Sequence, residues 1–324
     1  MASPLVSVIM PVYNAERYVA ASMESILQQT YTDLQVIVVN DGSTDGSLEE
    51  IRKFHDPRIR CLDQANGGVS AALNAALAVA EGTLIARQDA DDVSAPERVS
   101  RQVARFNADP ELIILGTWGK YIQPHPAPDL ELERPITDAG IRFAILFDSP
   151  FVSSSVMFRA EAIHAVGGFD TSGSVWDDYD QWSRLVAFGK AANIGEQLVE
   201  YRVVGSGLTR TNTRSISWVK EQRGRNVAAA IPDFPDDLLP AYRGMGIDHP
   251  LVTSSQLARL RTVFEHYIRS ITTTSQERAA LQAKLRSLLM SCRLVEHHSL
   301  FHRAADRLLK WSALDGSKPK QDRH

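Results

Sequence analysis

Over the first hundred residues, short apolar runs alternate with stretches whose apolar positions recur at helical spacing. Val6-Ser7-Val8-Ile9-Met10 reads as a strand, and Pro11, which has no N–H to give, is expected to end its ladder. Val19, Met23, Ile26 and Leu27 then mark a helix. Leu34 to Val39 is almost continuously apolar, as expected of a strand covered on both faces of a parallel sheet. Asp45 stands where it can cap a helix running through Phe54. Ile59 to Leu62 reads as a third strand, and Val69, Leu73, Ala76 and Ala80 as another helix. Thr83 to Ala86 is a fourth strand that runs straight into Asp89, and Pro96 sits where the next helix begins. This β-α rhythm predicts an α/β fold: a doubly wound, mostly parallel central sheet with flanking helices.

The rhythm loosens after Gly116 and partly returns. Val152 to Phe158 alternates as a strand, and Asp178 to Phe188 reads as a helix with Tyr179, Trp182, Leu185 and Val186 on one face. Leu198 to Val204 reads as a further strand. Beyond Ser215 only helical stripes follow: Leu257, Leu260, Phe264, Tyr267, Ile268 and Ile271, then Leu281, Leu285, Leu288, Leu289 and Cys292, then Phe301, Ala305, Leu308 and Leu309. The expected organisation is one α/β domain over residues 1–215 and a helical C-terminal region over 216–324.

Composition narrows the class. The chain has 324 residues, 44% hydrophobic and 23% charged, which suits a soluble globular protein with a sizeable core. No run of about 18 apolar residues is present to span a membrane, and no signal-peptide pattern opens the chain. Cys61 and Cys292 lie far apart without metal-ligand spacing and are expected to be buried thiols in a reducing compartment, so a cytoplasmic location is expected. The net charge of −4 conceals an asymmetry. Residues 251–324 carry 13 basic and 6 acidic side chains, leaving 22 basic and 33 acidic in residues 1–250. An acidic first part suits a metal site. A basic tail half suits either a solvated helical appendage or peripheral contact with the anionic inner face of the plasma membrane. Nucleic acid is not an expected partner.

Ligands of doubly wound sheets gather at the carboxyl ends of the strands. Four polar clusters fall at four such ends: Pro11-Val12-Tyr13-Asn14, Asn40-Asp41-Gly42-Ser43, Asn66-Gly67-Gly68 and Asp89-Ala90-Asp91-Asp92. Three carboxylates within four residues repel one another unless positive charge sits among them. An all-oxygen set suits Mg²⁺ or Mn²⁺, which takes one or two carboxylates and completes its shell with phosphate oxygens and water. Asp92 or Ser94 could equally cap the helix near Pro96. Asp41 could read a nucleobase edge or merely shape a turn, and Tyr13 could be core. No phosphate-cradling glycine motif of the G-x-x-x-x-G-K-[ST] or G-x-G-x-x-G kind is present, which leaves phosphate charge to the metal. Trp176-Asp177-Asp178-Tyr179-Asp180 is a second acidic cluster. It suits a helix N-terminus, or a general base acting on an acceptor hydroxyl.

In order and spacing, VIMPVYN (8–14), NDGSTDGS (40–47), NGGVSAALN (66–74), EGTLIARQDADD (81–92), VMFRAEAIHAVGGFD (156–170), DDYDQWSRL (177–185) and Tyr201-Arg202 together resemble the family-2 inverting glycosyltransferases of bacterial cell-surface polysaccharide type, which have the GT-A fold. The resemblance covers roughly residues 5–210. It implies that Pro11, Tyr13, Asp41, Asn66 and Gly67 surround the donor nucleotide, and that Asp89 touches the donor ribose. It implies that Asp91 is the metal ligand of the D-x-D motif with Asp92 beside it, that Asp178 is the catalytic base, and that Arg184 faces the site. Asp177 stands where the family usually has Glu. Val204 stands where many relatives carry a metal-binding histidine, so the ion is expected to rest on Asp91, diphosphate and water, or to recruit Thr209 or Thr211.

The expected activity is therefore transfer of a sugar, with inversion, from a nucleotide-diphosphate sugar to a glycan or lipid-linked acceptor, with Mn²⁺ or Mg²⁺ as cofactor. UDP is the expected nucleotide by family frequency. A nucleotidyltransferase, which would release diphosphate, and a non-catalytic donor-binding scaffold are the alternatives. The C-terminal stripes are expected to pack on the domain or to join two copies as a homo-oligomer.

Overall fold

The computed structural model describes residues 3–122, 130–171, 177–202 and 214–294. Its chain divides into two compact units, residues 1–226 and 227–324.

The first unit is built on one sheet. Its strands are β1 (Val6–Val12), β2 (Leu34–Asp41), β3 (Ile59–Gln64), β4 (Leu84–Arg87), β5 (Val93–Ser94), β6 (Leu112–Ile122), β7 (Leu130–Leu132), β8 (Met157–Arg159) and β9 (Lys190–Arg202). They lie in the order β3-β2-β1-β4-β8-β6-β9-β5, with β7 paired to β6. The strands β3-β2-β1-β4 are parallel throughout. Beyond β4 the sheet is mixed: β8 runs antiparallel to β4 and β6, while β6 and β9 are parallel. The helices are α1 (Val19–Leu27), α2 (Ser47–Arg52), α3 (Val69–Leu77), α4 (Arg98–Ala108), α5 (Asp138–Ala144), α6 (Ala160–Ala165) and α7 (Asp177–Phe188). The helix α8 (Arg214–Ala230) then carries the chain into the second unit.

The strand runs are apolar on both sides because both faces are covered. Val6, Val8, Met10 and Val12 of β1 pack with Val36 and Val38 of β2 against Val19, Met23 and Ile26 of α1. Ile9, Ile37 and Val39 point the other way, toward Ala72, Leu73 and Ala76 of α3. Trp182 of α7 is fully buried, with the rings of Phe151, Phe158 and Phe169 6.1–6.4 Å away. Each such pair adds about 0.5–1.5 kcal/mol beyond simple burial. The Tyr179 hydroxyl donates to the Ile145 carbonyl at 2.7 Å. Together these anchors fix the start of α7, and with it Asp178.

Several expectations need correction. Pro11 does not end β1; it pairs with Val39. Ile9 accepts from Gln88 N–H on the β4 side, and Pro11, two residues on, turns its nitrogen the same way. The β4 ladder has already stopped at Ile9, so no bond is lost there. Residues 152–158 are not one strand: Ser153–Ser155 form a 3₁₀ turn before β8 begins at Met157. Serine hydroxyls compete for backbone groups, and that of Ser155 donates to the Val152 carbonyl at 2.7 Å. The helix after Asp45 stops at Arg52, and the Asp45 carboxylate accepts from Ser47 N–H at 3.0 Å. Cys61 is exposed rather than buried, because β3 is an edge strand, and Cys292 is only half-buried.

The second unit, as described, holds α9 (Leu239–Gly244), α10 (Ser254–Ile271) and α11 (Ser275–Met290). The short strands β10 (Leu251–Val252) and β11 (Arg293–Leu294) pair in parallel, so the region is not helices alone. The predicted stripes are its core: Leu260, Phe264 and Ile268 of α10, and Leu285 and Leu289 of α11, are buried. Phe234, Tyr242 and Phe264 stack with centroids 5.3–5.9 Å apart. Thr253 and Gln256 form a capping box at the start of α10. The third predicted stripe, at Phe301 to Leu309, lies outside the described residues. Among the described residues, no helix is long and apolar enough to cross a membrane.

Candidate active site

The parallel strands deliver their polar loops to one edge, and hydrogen bonds join these loops. The side-chain oxygen of Asn14 accepts from Thr44 N–H at 2.8 Å, and the Ser43 hydroxyl accepts from Asn14 N–H at 3.1 Å. Asn14 takes φ of 50°, a left-handed conformation that asparagine tolerates. Tyr13 beside it is exposed, so it is not core. Asp41, the last residue of β2, is buried. Its Oδ1 accepts from Gln64 Nε2 at 2.7 Å and Gly67 N–H at 2.9 Å, and its Oδ2 from Gly68 N–H at 2.8 Å. Asp41 therefore shapes the loop that carries Asn66 and Gly67. The two loops touch: a Cβ on Gly42 would lie 2.6 Å from the backbone nitrogen of Asn66.

The loop after β4 gathers the acids. Asp89 pairs with Arg87, Nε to Oδ1 at 3.0 Å. The backbone carbonyl of Asp89 accepts from the Ser22 hydroxyl on α1 at 2.9 Å. Asp92 is buried with both carboxylate oxygens engaged: Oδ1 accepts from Arg202 N–H at 2.8 Å, and Oδ2 from the Ser154 hydroxyl. Burial, followed by the charges of Asp89 and Asp91, pushes the Asp92 carboxyl well above its ordinary range. Asp91 is pushed up to about 6, by burial first and the Asp89 charge second. Arg202 partly offsets this. Its Nε donates to the Asp91 carbonyl at 3.0 Å, and its guanidinium lies 5.0 Å from the Tyr18 ring centroid.

Asp178 reaches the same place from α7. The Ser153 hydroxyl donates to its Oδ2, while Oδ1 accepts from Tyr179 N–H at 2.7 Å. Adjacent serines thus hold Asp178 and Asp92. Tyr201 sits among these acids. Burial, then the charges of Asp89, Asp92, Asp178 and Asp91, keep its phenol protonated far above the usual range. The Tyr121 ring packs edge-on against it at 5.5 Å. Behind the loop lies Arg98, fully buried. Burial lowers its guanidinium to about 10 against the opposing pull of Asp92 and Asp89, so it remains a cation at neutral pH.

Asp89, Asp91, Asp92 and Asp178 are therefore grouped around Tyr201 and the serine pair, while Pro11, Tyr13, Asp41, Asn66 and Gly67 lie at the carboxyl ends of the neighbouring strands. Arg184 stands apart, on another face of α7 from Asp178. Its guanidinium pairs with Asp180 at 2.8 Å and donates to Gln181 Oε1 and the Val166 carbonyl. With Asp170, Gly167 and Gly168 it lines a separate cavity of about 270 Å³. Val204, Thr209 and Thr211 lie outside the described residues, as does Trp176.

Sequence reasoning missed Ser153, Ser154 and Arg98. The serines read as part of a strand, and an arginine in the first turn of a helix reads as solvated. Arg202 had a signal, as half of the Tyr-Arg pair, but no assigned contact.

No three His, Cys, Asp or Glu side chains converge among the described residues as a ready-made metal cage. Mg²⁺ and Mn²⁺ do not require one, since substrate oxygens and water complete their shells. Asp91, half-buried beside the like charge of Asp89, has the chemistry to take a divalent cation. Asp92, with both oxygens engaged, does not.

The family model "Glycosyl transferase family 2" matches residues 7–166. A Haemophilus influenzae protein known as an uncharacterized glycosyltransferase is 34% identical over 218 residues, covering 63% of this chain and 67% of its own. EpsE of Bacillus subtilis strain 168, named as a glycosyltransferase, is 32% identical over 61% of this chain and 73% of its own. The chondroitin synthase of Pasteurella multocida is 32% identical over 60% of this chain, which spans only 20% of that longer enzyme. Among solved structures, S. aureus TarS residues 1–349 in complex with UDP-GlcNAc superposes with a TM-score of 0.59 at 17% identity, covering 88% of each chain. The Pyrobaculum calidifontis mannosyltransferase PcManGT, in complex with GDP-Man and Mn²⁺, gives 0.51 at 22% identity over 90% and 81% of the two chains. These likenesses show the GT-A fold. With the sequence matches, they make the chain a glycosyltransferase that belongs to glycosyl transferase family 2.

Proposed function

We propose that the enzyme transfers a sugar, with inversion, from a UDP-linked donor to a glycan or lipid-linked acceptor, with Asp178 as base and a divalent cation at Asp91. The observation that carries this reading is the meeting of two acid groups from distant parts of the chain, Asp89–Asp92 and Asp178, at one serine pair. The named ligands of similar structures, UDP-GlcNAc and GDP-Man with Mn²⁺, agree with a nucleotide-sugar donor. The relatives named as chondroitin and hyaluronan synthases agree with a glycan acceptor.

In this reading Asp178 takes the acceptor's hydroxyl proton as its oxygen forms a bond to C1. The bond from C1 to the diphosphate oxygen breaks, and its electron pair leaves with the nucleoside diphosphate. Bound Mn²⁺ or Mg²⁺ would neutralise charge on that leaving group. Asp91 would hold the cation, with Asp89 beside it toward the ribose. Tyr13 and Pro11 would flank the base, and Asp41 would act by fixing the loop of Asn66 and Gly67. Arg184, engaged by Asp180, would act from outside the carboxylate group. The catalytic α/β region is assigned to residues 1–215, with 216–324 as its helical appendage. The excess basic charge of residues 251–324 supports peripheral attachment to an anionic leaflet at the cytoplasmic face.

The test is calorimetric titration with UDP, GDP and dTDP, with and without Mn²⁺. Metal-dependent binding of UDP, absent in Asp91→Ala, is the expected result. Equal binding with and without Mn²⁺ would defeat the metal assignment, and binding of GDP alone would defeat the donor assignment.

A further inference from the structure

Two residues of α4, Arg98 and Gln102, lie one turn apart on the same helix face, and both are fully buried. Each reaches the carbonyl side of the 3₁₀ turn at Ser153–Ser155. Arg98 donates through Nη1 to the Ser154 carbonyl, and also to the Arg87 carbonyl at 3.0 Å. Gln102 donates through Nε2 to the Ser155 carbonyl at 2.7 Å and the Leu115 carbonyl at 3.1 Å. The Ser155 hydroxyl accepts from Thr117 N–H at 3.0 Å. The turn is thereby clamped from behind to α4 and β6. Its front presents two hydroxyls. That of Ser153 donates to Asp178 Oδ2, and that of Ser154 donates to Asp92 Oδ2 while accepting from Asp89 N–H at 3.3 Å.

We propose that this serine turn is the spacer of the active site, with Ser153 orienting the base Asp178 and Ser154 orienting the Asp89–Asp92 loop. The inference rests on the function proposed above and adds two positioning residues to it. Neither acid group touches the other directly through these bonds. Their separation is set by adjacent residues of a three-residue turn, whose backbone is held by the buried side chains of Arg98 and Gln102. One peptide unit thus divides two duties: the donor-side loop hangs on Ser154, and the acceptor-side base hangs on Ser153. A turn that served only to fill space would need neither hydroxyl.

Neighbouring substitutions should therefore give separable defects. With the nucleotide that the wild type binds, and its nucleotide sugar as substrate, Ser153→Ala is expected to keep nucleotide affinity within about twofold while kcat falls about tenfold or more, the scale of one hydrogen bond to a charged group. Ser153→Thr, which keeps the hydroxyl, should restore kcat to within about threefold. Ser154→Ala should instead weaken Mn²⁺-dependent nucleotide binding by about fivefold or more. If Ser154→Ala does not fold, Ser154→Cys, close in size and a weaker donor, carries the same expectation. An unchanged kcat in Ser153→Ala, or parallel loss of affinity and kcat in both serine variants without rescue by threonine, overturns the proposal. If the wild type releases nucleotide from no nucleotide sugar, the proposed function fails by itself. The spacer is then judged by thermal unfolding of Ser153→Ala, Asp178→Asn and the double variant: non-additive shifts of the midpoint support the link, and additive shifts overturn it.

Discussion

Asp41 and Asp91 stand at comparable stations, the one closing β2 and the other in the loop that follows β4, yet they meet opposite surroundings. Asp41 is supplied with three donors from its own chain, Gln64, Gly67 and Gly68. Asp91 is half-buried beside Asp89, and its carboxyl is pushed up to about 6. The first acid is spent on the fold: its charge organises a loop. The second is held against the fold's interest, because burial and the Asp89 charge make ionising it cost stability. An aspartate at a strand end thus carries no single meaning, and the donors around it decide which kind it is.

Asp178 is the base of the proposed mechanism, and its replacement should have the largest effect. Asp178→Asn is expected to lower turnover by about 10²–10⁴ while nucleotide affinity is retained. A single-turnover assay beside calorimetry checks this, and near-wild-type turnover would remove Asp178 from the mechanism. Next comes Asp91→Asn, which should reduce Mn²⁺-dependent nucleotide affinity by at least the ~10–100-fold that loss of a metal site's supporting partner costs. The same change should raise the stability of the metal-free protein at pH 7.5 by about 1–2 kcal/mol, since it removes a partly buried and poorly compensated charge. Asp41→Ala should do the reverse, costing about 2–4 kcal/mol in urea unfolding because three donors lose their acceptor. If the two changes shift stability in the same direction, the distinction between the acids collapses.

The pH dependence sharpens the contrast. Between about pH 4 and pH 6 folded Asp91 keeps a proton that the unfolded chain has released. Its contribution to stability therefore falls as pH rises through that window. The advantage of Asp91→Asn should be absent below about pH 4 and complete above about pH 6, as pairs of unfolding curves across the range will show. At the proposed metal site protons and metal would compete for this carboxylate, so Mn²⁺-dependent binding should weaken about tenfold per pH unit below about 6. The smallest effect expected is that of Gly68→Ala. The backbone there has φ of 87° and ψ of 164°, a region that suits glycine alone, with open space around the missing Cβ, so only backbone strain of about 1–3 kcal/mol is at stake. Its midpoint shift should be smaller than that of Asp41→Ala, whose carboxylate holds this loop.

The alternation of strands and helices, the strand-end clusters and the acidic run were legible in the sequence because they depend on local periodicity. β1 and β2 read correctly since burial on both faces leaves a continuous apolar signature. Val152–Phe158 misread because alternation also fits a serine-rich turn, and only the bonds of those hydroxyls reveal which it is. Cys61 misread because an edge strand and a central strand have similar composition.

What the sequence alone determined is the set of chemical groups and their order: acids after β4, acids opening α7, glycines where loops meet, and a motif series specific enough to name a family. Chain order carries no information about which groups share solvent, donors or counter-charge. Tertiary structure decided that the Asp41 carboxylate has three donors while the Asp91 carboxyl is pushed up by burial and Asp89, that both oxygens of Asp92 are engaged by Ser154 and Arg202, and that Arg184 pairs with Asp180. It also decided that Arg98, distant in sequence from Ser154, supplies a buried cation behind the acids. Desolvation and charge proximity depend on three-dimensional distance, and only the folded chain sets that distance.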